Sequence, residues 1–159
     1  MSKPSIEAVV ATLPNSLCPI PGVGTAGQPP QQAWSELAAA GFKTVIDLRP
    51  EEEPRGYDEP TAVERAGMAY VRLPVTPATL GDSQFDELRA LLRDPERRPA
   101  LVHCASANRV GALMLPYLVL DEHRPPEEAM RVAQRVGLRS AEYAAQAMDY
   151  VARHRAASR

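Results

Sequence analysis

Residues 100–120, ALVHCASANRVGALMLPYLVL, constrain the fold more than any other stretch of the chain. They open on a short apolar run, Ala100, Leu101 and Val102, with the length of a buried strand, and close on an apolar segment, 110–120, long enough for a helix. Between the two lies a tight loop of His103, Cys104, Ala105, Ser106, Ala107, Asn108 and Arg109. A strand that runs through a short loop into a helix aims successive backbone N–H groups, and the positive end of the helix dipole, at one spot above the strand's end. Such a spot binds anions. Cys104 stands at its floor, where the dipoles and the Arg109 guanidinium favour the thiolate, the nucleophilic form of cysteine. A cation in the first turn of a helix opposes the dipole, so Arg109 itself calls for an anion. The backbone of Ala105, Ser106, Ala107 and Asn108 completes the predicted cradle.

The rest of the chain alternates strand and helix. Prolines at 4, 14, 19, 21, 29 and 30 predict a largely extended and looped start, with residues 17–20 as one short edge strand. From Pro30 the pattern turns helical: Trp34, Leu37 and Ala38 share a face and Gly41 stops the segment. Residues 42–48, FKTVIDL, read as a buried strand, 49–60 as a charged, proline-punctuated loop, 61–66 as a short helix, 68–73 as the next strand and 74–82 as a loop. Ser83 to Asp86 fits a capping box ahead of the stripe Phe85, Leu88, Leu91 and Leu92. Pro125 and Pro126 with Glu127 and Glu128 open a helix that runs to Gly137, and Tyr143, Ala147, Tyr150, Val151 and His154 mark a last helix that Ser140 can cap. This alternation predicts an α/β fold with a mostly parallel central sheet flanked by helices, its ligand at the carboxyl ends of the strands. The Cys104 loop occupies such an end, and Arg49 and the loop after Leu73 fall on the same rim. One domain is expected over residues 27–155, with a proline-rich extension, 1–26, as part of it.

A Cys and an Arg bracketing a strand-to-helix loop, with His just before the Cys, resemble the signature of the cysteine-dependent protein tyrosine and dual-specificity phosphatases. Five residues usually separate Cys from Arg there, and Ser or Thr follows the Arg; here four separate them and Val110 follows. The smaller loop, with VIDLRPEEE and GQPP upstream, is similar to the beta-lactamase-hydrolase-like phosphatase domains, a bacterial branch of that superfamily. The resemblance covers roughly residues 27–151. It implies a protein tyrosine phosphatase-like three-layer fold and phosphate-monoester hydrolysis through a cysteinyl-phosphate on Cys104, with no metal or cofactor. It also implies a general acid on the loop between the strand and the helix that precede the Cys strand, residues 74–82, where the only carboxylate is Asp82; that residue equally suits a helix start. Asp47, at the end of the VIDL strand, is the second candidate. His103 either fills space beneath the sheet or hydrogen-bonds the loop, Ser106 either donates to the thiolate or faces away, and Arg49 either pairs with Glu53 or meets substrate. Asn108 tolerates left-handed geometry in a loop without glycine. Gln28 closes over the pocket in the resembling family, and Cys18 is a packed side chain with a resolving role toward Cys104 as the alternative.

Bulk properties exclude other classes. A formal net charge of -2 gives no electrostatic reason to expect nucleic acid or an anionic membrane as partner. No apolar run has the roughly 18 residues of a membrane span, and the N-terminus lacks the pattern of a signal peptide. Two cysteines make no disulfide framework, which fits a reducing, cytoplasmic setting. The expected substrate is a phosphorylated protein or a small phosphomonoester. Two alternatives stay open: a rhodanese-like sulfurtransferase carrying a Cys104 persulfide, because four residues also separate Cys and Arg in that loop, and a phosphate-binding module with little turnover.

Overall fold

Runs of apolar residues covered on both sides build the sheet. In the computed structural model, which describes residues 3–157, five strands pair in one sheet: β1 (Leu17–Ile20), β2 (Val23–Ala26), β3 (Thr44–Asp47), β4 (Ala69–Arg72) and β5 (Ala100–His103). Their spatial order is β1-β2-β5-β3-β4. Only the β1–β2 pairing is antiparallel. Every residue of β2, β3 and β5 is buried, as the central strands of a parallel sheet require. Neighbouring residues along a strand point to opposite faces, so Val45 and Leu101 enter one core and Ile46 and Val102 the other.

Each core has its own layer of helices. Helices α1 (Ile6–Val10), α2 (Ala33–Ala40) and α3 (Glu59–Arg65) cover one face, and α4 (Asp82–Arg93), α5 (Asn108–Leu120), α6 (Pro126–Val136) and α7 (Ala141–Ala157) the other. Residues Val110 to Val119 of α5 are all buried, because this helix lies between the sheet and α4, α6 and α7. At Gly111 a methyl group would stand 2.7 Å from the Ala133 carbonyl and from the Leu138 nitrogen, so its hydrogen lets the α6 end close on α5. Pro116 lies within α5 and withdraws a donor from the Ala112 carbonyl. No helix of the described residues is long and apolar enough to cross a membrane.

The three-layer α/β architecture is as expected, and the early region is richer. Residues 6–10 form a short helix capped by the Ser5 hydroxyl, and 23–26 form a strand parallel to β5. The prolines all lie outside these two segments, and all but Pro19, which lies in the edge strand β1, mark joints. The box at Ser83 and Asp86 is displaced: α4 starts at Asp82, and Gln84 Oε1 accepts from the Gly81 N–H at 2.9 Å. Asp86 instead accepts from the Tyr150 hydroxyl. Helix α3 starts earlier than predicted, at Glu59, because Asp58 caps it by accepting from Thr61 N.

Candidate active site

Register places the site. Ala26, His103, Asp47 and Arg72 lie side by side at the carboxyl end of the sheet, and the chain leaves the central strand β5 there into the loop 104–107. Cys104 is 1% exposed at the loop's start. The loop turns into α5 at Ala107, whose φ of 68° is left-handed. The positive φ expected at Asn108 falls one residue earlier, since Asn108 is already the first residue of α5. The Asn108 side chain instead reaches across to the next corner of the fold. Its Oδ1 accepts from the N–H groups of Arg139 at 2.7 Å and Ser140 at 3.2 Å, which pins the α6–α7 corner to the loop. Among the described residues, no protein acceptor takes the backbone N–H groups of residues 105–110. A helix start leaves such N–H groups without intrahelical partners, and a run of them there is suited to an oxyanion.

The Arg109 guanidinium is half-buried and makes a two-pronged contact with Glu53, 2.7 and 3.1 Å, plus a 3.2 Å bond to the Val75 carbonyl. Those bonds from Arg109, helped by Arg49, hold the Glu53 carboxyl below its ordinary range against the effect of burial. Arg49 does pair with Glu53, at 3.0 Å, and it also donates to Gln28 Oε1 and the Pro54 carbonyl. Tyr143, in the first turn of α7, lies within the electrostatic reach of Arg109 and Cys104; burial, with the Cys104 charge adding to it, raises its phenol pKa.

Beneath the loop is a buried ionic network. His103 contacts the Glu59 carboxylate through Nε2 at 2.5 Å, and its Nδ1 lies 3.3 Å from the Cys104 carbonyl. His103 is thus both buried and hydrogen-bonded. Asp47 accepts from Arg49 N, Arg55 Nε and the Tyr70 hydroxyl. Ligand-type atoms of Asp47, Glu59 and His103 lie within 4.8 Å of one another. The cation among them is Arg55, 2.8 Å from Asp47 and 3.5 Å from Glu59.

Three expected residues stand elsewhere. Asp82 is exposed, and Arg153 clamps its carboxylate at 2.7 and 2.8 Å and lowers its pKa. Arg153 is ten residues beyond Tyr143 along α7, about 15 Å at 1.5 Å per residue. Asp47 is fully buried under the loop. Cys18 and Cys104 pack into the cores on opposite faces of the sheet. Glu59, Arg55, Tyr143 and Arg139 carry no signal in the sequence, because each meets the loop or its supports only through the tertiary fold. Glu53 was visible as a partner of Arg49 but not of Arg109.

Comparison with known proteins agrees with this architecture. The chain is 37% identical over 93 residues to a beta-lactamase hydrolase-like protein of Xylella fastidiosa, a match spanning 56% of this chain and 21% of that one. The chain thus spans about a fifth of the length of that relative. A DUF442 protein of Shewanella putrefaciens CN-32 superposes with a TM-score of 0.80 at 23% identity, covering 92% of this chain and 97% of that one. TpbA of P. aeruginosa, solved with phosphotyrosine, superposes with a TM-score of 0.67 at 20% identity, covering 86% and 82%. These likenesses share the protein tyrosine phosphatase-like fold. Residues 23–149 match the family model described as a DSP-PTPase phosphatase fused to NAD+ kinase, and since that match takes in β2 through most of α7 with the Cys104 loop inside it, the chain belongs to this DSP-PTPase phosphatase family.

Proposed function

We propose that the protein hydrolyses phosphate monoesters through a covalent intermediate on Cys104. The observation that carries this reading is the run of unpaired N–H groups at residues 105–110, with Cys104 at its base and Arg109 at its edge. The thiolate attacks phosphorus in line, the P–O bond to the leaving alcohol breaks, and the alcohol oxygen takes a proton as it departs. The loop N–H groups and Arg109 hold the equatorial oxygens, on which charge is spread in the transition state. Water then attacks phosphorus, the S–P bond breaks, and inorganic phosphate leaves with the thiolate restored. Glu53 shares the Arg109 guanidinium and orients its fork, and His103, fixed by Glu59, orients the Cys104 peptide. Val110 offers no hydroxyl to the departing thiolate, so the second step is the slower one. No step calls for a metal, and excess EDTA should leave turnover unchanged.

The test is p-nitrophenyl phosphate turnover together with acid-quench trapping of radiolabelled phosphate on the protein. The wild-type chain should turn over and carry label, and Cys104→Ser should do neither. Turnover that survives Cys104→Ser sinks the proposal. So does sulfur transfer from thiosulfate to cyanide in the absence of phosphatase activity.

A further inference from the structure

Among the described residues, eight arginines are ion-paired with carboxylates, and Arg139 is not one of them. Its exposed guanidinium nevertheless has a fixed place against the Cys104 loop. Nη2 donates to Ser106 Oγ at 2.8 Å, and Nη1 to the carbonyls of Ser106 at 3.4 Å and Gly137 at 3.0 Å. Its own N–H is bound by Asn108 Oδ1. Every acceptor of the guanidinium is neutral, so a full positive charge stands uncompensated beside the cradle. Glu142, the nearest acid along the chain, makes no ion pair with it among the described residues. Its guanidinium bonds to Ser106 of the loop and its N–H bond to Asn108 at the start of α5 hold this charge beside the loop. Ser106 is two residues from Cys104, so their Cα atoms lie within about 7.6 Å of each other at 3.8 Å per step, and the Arg139 guanidinium on Ser106 lies beside the phosphate cradle.

We propose that Arg139 is a specificity residue which binds a second anionic group of the substrate, so that the preferred substrates are small phosphomonoesters with another phosphoryl or carboxylate group on an adjacent carbon. This rests on the reading of the loop as the phosphate site. The short separation favours a compact bis-anion over a flanking acidic side chain on a phosphopeptide. A guanidinium held in place by neutral acceptors keeps its Nε–H and outer face for such a group, and a charge-assisted contact there adds to those in the cradle.

The test measures binding to Cys104→Ser, which needs no turnover, with three probes. Glycerol 2-phosphate carries one anion, 2-phosphoglycerate adds a carboxylate, and 2,3-bisphosphoglycerate adds a phosphoryl group. One or both added groups should tighten binding about tenfold, the low end for a hydrogen bond to a charged group, as suits an exposed site, and which one does so identifies the second anion. Arg139→Gln in the same background should erase that preference, and Arg139→Lys should restore part of it. Thermal melting of each variant checks that the corner still folds. Equal binding of all three probes by Cys104→Ser overturns the proposal, as does an equal loss for all three in Arg139→Gln, which would make Arg139 only a brace. A gain confined to phosphopeptides with flanking acids overturns it as well. Failure of the cysteine mechanism would appear instead as missing label in the trapping experiment, with these affinities unaffected.

Discussion

Ala107 holds a left-handed φ of 68° at the point where the loop becomes a helix, and its neighbour across the turn is Gly137, where a methyl group would stand 2.8 Å from the Ala107 Cβ and carbonyl oxygen. A side chain in that conformation costs roughly 1–2 kcal/mol, and glycine's freer unfolded chain returns about half of that. Ala107→Gly should therefore stabilise the protein by about 0.5–1 kcal/mol, read from urea unfolding. Gly137→Ala should act in the opposite direction, lowering stability and p-nitrophenyl phosphate turnover together, because the α6–α7 corner must then leave the loop. Asp82 supplies a second comparison. Clamped by Arg153 and held ionised, it should matter little to proton transfer, so Asp82→Asn should leave unchanged the ratio of rates on alkyl and activated aryl phosphates. A loss of at least about a hundredfold confined to the alkyl ester, the usual cost of a missing general acid, would return Asp82 to that role. The sequence exposed Cys104, Arg109 and His103 because they are contiguous with the strand and helix that aim them. It hid Glu59, 44 positions from His103, and the pairing of Glu53 with Arg109, 56 positions apart, since neither contact lies in a local pattern.

The loop between β3 and α3 is the element through which distant residues reach the site. Glu53 receives Arg109 from α5 and Arg49 from the end of β3, and Arg49 in turn holds Gln28. Glu53's pKa is depressed in the folded state, so its contribution to stability is present above the unfolded carboxylate range and is lost as pH falls through the lower folded value. The stability difference between wild type and Glu53→Gln should accordingly be constant near neutral pH and shrink toward zero on acidification below about pH 4. A difference that grew on acidification would reverse the assignment. Salt should weaken it too, since Glu53 is about a third exposed. Charge and proline marked this segment as a loop, but no periodicity tells a loop which helix it will cover. The long elements were legible for the converse reason. Helix α2 ends at Gly41 with φ 106°, and α6 begins at Pro126 and stops at Gly137, each a boundary set by residues whose backbone leaves few choices. Helix α1 and strand β2 are five and four residues long, too short for a period to declare itself among prolines.

The same network that supports the loop also ties α3 and the segment before it to the sheet. Asp47 on β3, Tyr70 on β4, His103 on β5 and Glu59 on α3 converge on or beside Arg55, whose side chain is only 5% exposed. Two carboxylates without solvent access need that cation, because an uncompensated buried charge is far costlier than a well-packed neutral substitute. Arg55→Met should destabilise the fold by about 3–5 kcal/mol, the usual result of removing one partner of a buried pair. Tyr70→Phe, which removes one hydrogen bond to the Asp47 carboxylate, should cost less, about 1.5–3 kcal/mol. Asp47→Asn alone leaves Arg55 short of an anion but still beside Glu59, and it should fall between these two. The informative variant is the pair. Arg55→Met with Asp47→Asn removes one charge of each sign, so its cost should fall well below the sum of the single costs, by more than the 0.5 kcal/mol or so that separates independent sites from coupled ones. Urea unfolding of the four proteins measures this coupling directly. Additive losses would mean that Arg55 and Asp47 act separately, and that Glu59 rather than Asp47 is the counter-charge that keeps Arg55 inside the fold.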